Sequence, residues 1–270
     1  MISLEANEKT LREKDMALQP VPLNTTPDET YFRKSRLWQG IPGIERTYGG
    51  RFWRCFFSGG NDEGPDNYVA VEISDDACDT WSEPIVVIDP PGNVRAFDPC
   101  LWRTPSNELF LFWAQSYGGF DGRAGWYSVC RDPDEVPNVW TEPRRIADGV
   151  MLNKPTVLMN GEWALPITLW GHVKSSLNPN VPNCLAKMYV SSDQGKTFEY
   201  RGGVDMPNRW FDESMILEKN DGTLQMLTRR KDGIGEAFSH DGGRTWGDIG
   251  KFCLGGPNST FGNFILATYC

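Results

Sequence analysis

The sequence predicts an all-β protein of the β-propeller class, in which four-stranded blades follow one another along the chain. The first observation is composition: 28 glycines, 19 prolines and 12% aromatic residues are typical of short strands joined by tight turns. The second observation is a short motif that recurs along the chain. The third is the spacing of that motif, which suits one four-stranded blade per repeat.

The recurring motif is Ser-x-Asp-x-Gly-x-Thr followed by an aromatic residue. Complete copies begin at Ser191 and Ser239, and a third copy has Cys78 in place of the glycine. A fourth is recognisable only from its end, where Trp-Thr-Glu-Pro at 140–143 matches Trp-Ser-Glu-Pro at 81–84. The aromatic positions 81, 140, 198 and 246 are separated by 59, 58 and 48 residues. This period predicts one blade per motif.

The chemistry of the motif explains its residue types. The aspartate can accept hydrogen bonds from backbone N–H groups in a tight turn, and the glycine can adopt a positive φ. The threonine begins the next strand, and the aromatic side chain is expected to pack between neighbouring sheets. Because a strand-like run precedes each complete copy, the motif is predicted to be a hairpin connection within a blade.

The pattern divides the chain into three parts. Residues 1–30 are polar and weakly patterned, and they are predicted to form an arm outside the fold. The blades are predicted over residues 31–258. Residues 259–270 follow no propeller pattern and are interpreted as an atypical tail.

Charge and cysteine content exclude several classes of function. Lys and Arg number 27 against 36 Asp and Glu, and this net charge of −9 argues against nucleic acid or an anionic membrane surface as a partner. The seven cysteines contain no CxxC pair and are predicted to be buried free thiols. Without paired histidines or clustered cysteines, no metal or other cofactor is expected. No signal peptide or membrane-spanning run is seen, so a cytoplasmic location is predicted.

The repeated motif resembles the Asp boxes of sialidases and related proteins with bacterial-neuraminidase repeats, over about residues 38–258. Sialidases are six-bladed propellers, so the resemblance implies a sialidase-type propeller of which about four blades are present here. We therefore expect a truncated chain, with a complete four-bladed propeller as the alternative. In that family the boxes lie on the outer rim, far from the site. They support a fold, and function has to be argued from other residues.

The best match outside the boxes begins at Glu213 and ends at Arg229. In sialidases the corresponding glutamate partners a tyrosine nucleophile, and the arginine belongs to a trio that holds the substrate carboxylate. A guanidinium offers bidentate hydrogen bonds to a carboxylate, and a carboxylate beside a phenol can act as its base. The alternative is that Glu213 and Arg229 form a salt bridge across a hairpin.

A second candidate lies in the turn-rich segment 63–67. The sialidase fold carries an acid/base aspartate in a loop at this place, so the resemblance implies that role for Asp66, with Asp62 and Glu63 as rivals. The alternative is a surface turn without a catalytic role, because Asp, Gly and Pro are common turn residues.

Charged residues near the ends of other apolar strands complete the predicted pocket. Together with Glu213 and Arg229, they are expected to line a polar site for an anionic sugar; they are Arg95, Asp98, Asp121 and Lys154. Each of them alone is more often a salt bridge between blades or a turn residue.

The sequence also departs from the family pattern. Sialidases open their first blade with Arg-Ile-Pro, and this chain has Gly40-Ile41-Pro42; Arg46 on the same predicted strand is the candidate substitute. The third arginine and the nucleophilic tyrosine belong to the last two blades of the family. Little or no turnover is therefore expected from this chain, and sialic acid is not assured as the substrate.

Three functions follow as hypotheses. The first is a sialidase-like exo-glycoside hydrolase that acts on a terminal acidic sugar. The second is a non-catalytic propeller that binds a glycan or a protein. The third is a glycosidase or lyase directed at uronic acid, for which His172 is the histidine candidate as base.

Overall fold

The structure of the protein is a computed structural model, which describes residues 16–117, 121–170 and 186–253. It forms two compact units, the first of which ends at Met151 and the second of which begins at Leu152. Among the described residues, no helix is long and apolar enough to cross a membrane.

The first unit contains two antiparallel four-stranded sheets in which the strands follow chain order. The first sheet consists of β1 (Gln39–Arg46), β2 (Phe52–Ser58), β3 (Tyr68–Ser74) and β4 (Val86–Ile88). The second consists of β5 (Val94–Arg103), β6 (Leu109–Tyr117), β7 (Asp121–Cys130) and β8 (Arg144–Ala147). Two short 3-10 helices, Glu29–Tyr31 and Arg33–Ser35, precede them.

The second unit repeats this arrangement with two further sheets. One consists of β9 (Thr156–Val157), β10 (Trp163–Thr168), β11 (Ala186–Ser191) and β12 (Glu199–Val204). The other consists of β13 (Arg209–Glu218), β14 (Leu224–Arg230), β15 (Gly233–Ser239) and β16 (Gly247–Lys251). The predicted all-β fold with four blades is thereby confirmed.

Apolar side chains join the two sheets within each unit. In the first unit, the rings of Phe57 and Phe97 pack edge to face at 6.4 Å, and Trp53 packs against Trp140 at 5.8 Å. In the second unit, buried side chains from both sheets form one cluster, and Trp246 of the last box packs against it. Trp140 and Trp246, the aromatic residues of two boxes, therefore pack between sheets, as their position in the motif predicts.

The Asp boxes connect the third and fourth strands of their blades. In the copy at 191–198, the Ser191 hydroxyl donates to Asp193 Oδ1 and accepts from the Gly195 N–H, while Asp193 accepts from the N–H and hydroxyl of Thr197. The same bonds recur in the other two copies. Gly195 and Cys78 have φ angles of 82° and 76°. Cys78 therefore occupies a left-handed position that favours glycine.

The incomplete fourth box keeps the end of the motif. Ser82 donates its N–H to the Ile73 carbonyl and accepts the Ile73 N–H with its hydroxyl. Thr141 makes the same two bonds with Val129. The sequence match between 81–84 and 140–143 thus reflects the same attachment of the chain to the third strand of the blade.

A bulge interrupts the first strand in three of the four blades. It falls between Gly40 and Gly43 in β1, between Phe97 and Cys100 in β5, and between Arg209 and Ser214 in β13. Each bulge holds a residue with positive φ, and these are Ile41 (46°), Asp98 (50°) and Phe211 (44°). Bulges re-aim side chains, and left-handed residues other than glycine are often found at functional sites.

The described part of the N-terminal segment (residues 16–37) packs on the first unit. Ala17 and Val21 are buried, and the backbone of Asn24 exchanges two hydrogen bonds with Val87 at the edge of β4. Farther on, Arg36 pairs with the fully buried carboxylate of Glu72 at 2.7 Å. This differs from the arm expected from sequence, because the contacts come from single residues and backbone groups and leave no periodic apolar pattern.

Candidate functional site

The loop between β2 and β3 is organised around the buried side chain of Asn67. Its amide nitrogen donates to the carbonyls of Gly59 at 2.8 Å and Asp62 at 3.0 Å, and its amide oxygen accepts from the N–H of Gly64 at 2.8 Å. Because these bonds cross-link the loop from inside, Asn67 fixes the residues around it. Its sequence context indicated only a turn, so this role was missed.

Asp66 precedes this fixed point and is exposed. It borders a cleft of about 410 Å³ on the first unit. The backbone of Gly59 packs directly against the backbone of Asp66. A Cβ built on Gly59 would lie 2.1 Å from the Asp66 carbonyl oxygen, and the φ of Gly59 is +101°. The backbone that carries Asp66 is therefore tightly constrained, while its carboxylate remains accessible.

Arg95 lies next to this loop, at the start of β5. The residue is 2% exposed, and its Nη1 donates to Asn67 Oδ1 over 3.4 Å. Its guanidinium lies 4.0 Å from the centre of the Phe97 ring, and its Nε has no hydrogen-bond partner among the described residues. Burial lowers the pKa of Arg95, and the negative charges of Asp98 and Glu63 act in the opposite direction.

Asp98 is brought into the same cluster by the β5 bulge. It is 6% exposed, and its negative charge acts on the guanidinium of Arg95. Arg95 and Asp98 therefore lie close together, and Asp66 lies in the loop whose Asn67 contacts Arg95.

Arg46 does not belong to this group. It closes β1 and pairs with Phe52, whereas Gly40 at the other end of the strand pairs with Phe57. Its carbonyl accepts from the Arg103 side chain at the far end of β5, and the Arg103 backbone N–H donates to Glu45 Oε2. Arg46 shares a strand with position 40, as the sequence predicts, but the length of that strand separates the two positions.

In the second unit, Glu213 and Arg229 are in contact. Arg229 Nη1 lies 3.5 Å from Glu213 Oε1, and the two side chains are 11% and 2% exposed. Glu213 lies in the β13 bulge, opposite the end of β14. The two side chains therefore form the salt bridge across the hairpin that the sequence analysis gives as the alternative to a substrate-binding role. Arg229 Nε is buried and has no hydrogen-bond partner among the described residues.

Lys154 lies in a segment that runs beside β13. The neighbouring Asn153 donates its amide to the Ser214 carbonyl at 2.9 Å, and the Thr156 hydroxyl donates to the Ile216 carbonyl. Next to Glu213, the hydroxyl of Ser214 bonds those of Thr168 at 2.9 Å and Thr228 at 3.1 Å. The sequence analysis did not identify this buried hydroxyl chain.

Two proposed residues lie outside what the structure describes. Asp121 begins β7 opposite Tyr117, but its side chain is not among those described, and His172 falls between the described segments. Across residues 16–117, 121–170 and 186–253, no group of three His, Cys, Asp or Glu side chains could hold a metal ion.

Comparison with protein families matches residues 50–267 to the BNR repeat-like domain. The chain belongs to this family. The match covers most of the chain, including all the Asp boxes. A comparison with curated proteins by sequence gives no match.

The solved structures that resemble this BNR-repeat chain include sialidases. A protein of unknown function from Dyadobacter fermentans is 17% identical, with a TM-score of 0.65 over 86% of this chain and 74% of its own. The NanB sialidase from Streptococcus pneumoniae is 12% identical, with a TM-score of 0.64 over 89% of this chain and 55% of its own. The intramolecular trans-sialidase from Ruminococcus gnavus is 13% identical, with a TM-score of 0.60 over 86% and 73%.

These likenesses establish the fold. The chain spans about half the length of the pneumococcal sialidase, and all three identities are below 20%. The four sheets are blades of a sialidase-type propeller, and the activity has to be argued from the side chains.

Proposed function

We propose that this chain is part of an exo-acting glycoside hydrolase for glycans that end in an acidic sugar. The observation that carries the proposal is Arg95. Among the described residues, this buried guanidinium makes one long side-chain hydrogen bond, of 3.4 Å, and no salt bridge. The charges of Asp98 and Glu63 act on this guanidinium without forming a salt bridge with it, and the carboxylate of an acidic sugar would supply a close partner.

Asp66 is assigned as the acid/base residue beside Arg95. Its carboxyl is exposed on a constrained loop, so it can donate a proton to the glycosidic oxygen and accept one from water. The bond between that oxygen and the anomeric carbon breaks, and water supplies the hydroxyl that the sugar gains.

The roles of Glu213 and Arg229 follow the sialidase resemblance. Glu213 is assigned to assist a phenolic nucleophile, which is not assigned to any described residue, and Arg229 to hold the substrate carboxylate. Lys154, Asp98 and Asp121 are assigned to substrate binding. Arg46 is left out because of its position at the other end of β1.

Because Arg95 is almost inaccessible in this structure, ligand binding requires movement of the residues that cover it. A binding measurement tests the proposal without depending on turnover. We expect free sialic acid or glucuronic acid to bind the chain, and galactose, which lacks a carboxylate, not to compete. Release of the aglycone from the corresponding aryl glycosides is measured in parallel.

The matched variants are Arg95→Met and Arg46→Met, two arginines at opposite ends of the same unit. We expect Arg95→Met to weaken binding of the acidic sugar at least about tenfold, since a charge-assisted bond is lost. Arg46→Met is expected to bind as the wild type does. Equal binding of acidic and neutral sugars, or equal effects of the two variants, contradicts the proposal. Binding without hydrolysis favours the non-catalytic alternative.

A further inference from the structure

The side chain of Trp38 fills the space in front of Gly40, near the start of β1. A Cβ built on Gly40 would lie 2.8 Å from Trp38 Cη2 and 2.9 Å from Trp38 Cζ2, distances at which carbon atoms overlap. The same Cβ would lie 3.6 Å from Phe57 Cζ. A side chain at position 40 therefore has no room unless the indole moves, and the half-buried indole forms the surface at this place.

This surface lies at the same end of the first unit as Arg95. Gly40 is the second residue of β1, and Arg95 is the second residue of β5. The last residues of the two strands are in contact, because the Arg103 side chain donates to the Arg46 carbonyl at 2.8 Å. The two strands therefore run in the same direction, and their first residues lie together at the opposite end.

A row of aromatic rings connects Trp38 with Arg95. The rings of Trp38 and Phe57 pack edge to face at 5.1 Å, and those of Phe57 and Phe97 do so at 6.4 Å. The Arg95 guanidinium lies 4.0 Å from the centre of the Phe97 ring. Phe57 and Phe97 are each 1% exposed, so Trp38 is the accessible end of this row and Arg95 is its buried end.

The backbone of Trp38 is attached to the loop that carries Asp66. The Ser58 hydroxyl donates to the Trp38 carbonyl, and Ser58 immediately precedes this loop. Residues 30–37, which lead to Trp38, supply one wall of the cleft that Asp66 borders. The indole therefore lies beside the residues to which the proposed function assigns catalysis and binding.

Two polar contacts fix the segment that leads to Trp38. The Tyr31 hydroxyl donates to Asp89 Oδ2 at 2.7 Å, beyond the end of β4. Arg36, two residues before Trp38, pairs with the buried Glu72 carboxylate at 2.7 Å. The indole is thus carried on a backbone that is held in place before a ligand arrives, as a specific site requires.

An aromatic ring and a guanidinium suit different parts of an acidic sugar. The guanidinium pairs with the carboxylate. In a β-glucuronide every ring substituent is equatorial, so the axial C–H groups form an apolar face that packs on an aromatic ring. Gluconic acid carries the same charge and similar hydroxyl groups on an open chain, and it presents no such face.

We infer that Trp38 is a specificity-determining residue of the acidic-sugar site, and that it selects a closed hexuronic acid ring by contact with the C–H face. The inference rests on the proposed function, in which Arg95 pairs with the carboxylate. Sialidases have an arginine at the position of Gly40, whereas this chain offers an aromatic surface there. One guanidinium recognises the charge of the sugar, and the indole recognises the shape of its ring.

The test compares the binding of methyl β-glucuronide and gluconic acid to the full chain by ligand-observed NMR titration. Trp38→Ala removes the ring, and Trp38→Phe keeps a smaller one. Trp81→Phe is the matched control, because Trp81 is also half-buried in the first unit but lies under the guanidinium of Arg54, at 4.1 Å. Thermal melts establish that each variant is folded.

We expect the wild type to bind methyl β-glucuronide about tenfold more tightly than gluconic acid. Trp38→Ala should abolish most of this preference, Trp38→Phe should retain part of it, and Trp81→Phe should leave it unchanged. A folded Trp38→Ala variant with the preference of the wild type, or an equal loss in the Trp81→Phe control, overturns the inference.

Gly40→Ala tests the same inference with the whole indole present. The added Cβ displaces the ring from its place, so the preference for the closed ring should fall about threefold or more. Gly247→Ala is the control, because a Cβ there meets nothing within 4 Å. An unchanged preference in folded Gly40→Ala contradicts the role of the indole.

Arg95→Met separates this inference from the proposed function. It should weaken the binding of both acids about tenfold, because each loses the same carboxylate contact. Acids that bind through Arg95 with a preference that Trp38→Ala does not alter overturn this inference alone. If neither acid binds the folded wild type, the proposed function and this inference are both wrong.

Discussion

A Cβ atom built on Gly202 would lie 2.1 Å from the carbonyl oxygen of Gly243. Gly202 belongs to β12, and Gly243 belongs to the Asp box of the next blade in the same unit. Since the clashing atom is backbone, no side-chain rotation can relieve it. Gly202→Ala should therefore lower the free energy of unfolding by about 1–3 kcal/mol, measured by denaturant titration. Gly247→Ala is the control, because a Cβ there meets nothing within 4 Å. Equal stability of the two variants would refute the close packing of these blades.

Replacing Cys78 with glycine should stabilise the protein. Its φ of 76° lies in the left-handed region, where the complete boxes have glycine. Removing the side chain relieves a strain of about 1 kcal/mol, and part of that gain is offset by the greater freedom of glycine in the unfolded chain. Thermal melts should show a higher Tm for Cys78→Gly than for Cys78→Ala, which also removes the thiol but keeps a Cβ. A higher Tm for the alanine variant would contradict the strain.

The Asp boxes should make stability depend on acid pH. Hydrogen bonds from Thr197 lower the pKa of Asp193 from 3.8 to about 2, and those from Thr80 do the same for Asp76. A carboxyl with a lowered folded-state pKa favours the folded state above its unfolded pKa, and this contribution is lost as the pH falls from about 4 to about 2.

The measurement is Tm as a function of pH for wild type and Asp193→Asn. Between pH 4.5 and 2.5, the Tm of the wild type should fall more than the Tm of the variant. The difference corresponds to about one proton, because the variant lacks one carboxyl that unfolding leaves free to bind a proton. Asp205→Asn serves as the control, because Asp205 is 84% exposed and lies 3.5 Å from Arg209. Parallel profiles of Tm against pH for wild type and Asp193→Asn would show that the hydrogen bonds of the box do not favour the ionised form of Asp193.

Glu72→Gln should be strongly destabilising. The fully buried Glu72 carboxylate pairs with Arg36 and Arg54, and Arg33 lies 3.8 Å away. The substitution leaves these guanidinium groups without their counter-ion, at a cost of about 3–5 kcal/mol in the free energy of unfolding. Asp75→Asn, which breaks an exposed pair with Arg51, should cost less than about 1 kcal/mol. Similar losses in the two variants would argue against a buried ion cluster.

The fold could be predicted because each Asp box is formed by residues that are close together in the sequence. Each box closes its hydrogen bonds within a few residues, so Ser191, Asp193 and Thr197 leave a fixed spacing in the sequence. Even the incomplete copy keeps Thr141, whose hydroxyl holds the chain against Val129. Such short-range requirements are visible in one sequence.

The candidate site could be predicted only in part. Arg95 and Asp98 lie near the loop that carries Asp66, and their part in a binding site stays a prediction. Asn67, which fixes that loop, could not be recognised, because asparagine is common in turns of every kind. The misplaced residue, Arg46, shows the opposite problem: sequence proximity to Gly40 says nothing about which end of an extended strand a side chain occupies. Long-range contacts such as that of Tyr31 with Asp89 leave no spacing to detect.

The cleft wall at 29–37 is not part of any blade, and its attachment depends on the Arg36–Glu72 pair and the Tyr31–Asp89 bond. None of these four residues belongs to an Asp box. Exchange of this short stretch can therefore reshape the cleft while the repeating framework stays constant. Related chains that keep the residues equivalent to Glu72 and vary those at Tyr31 and Asp89 would change the shape and the polar groups of the cleft without any change in architecture.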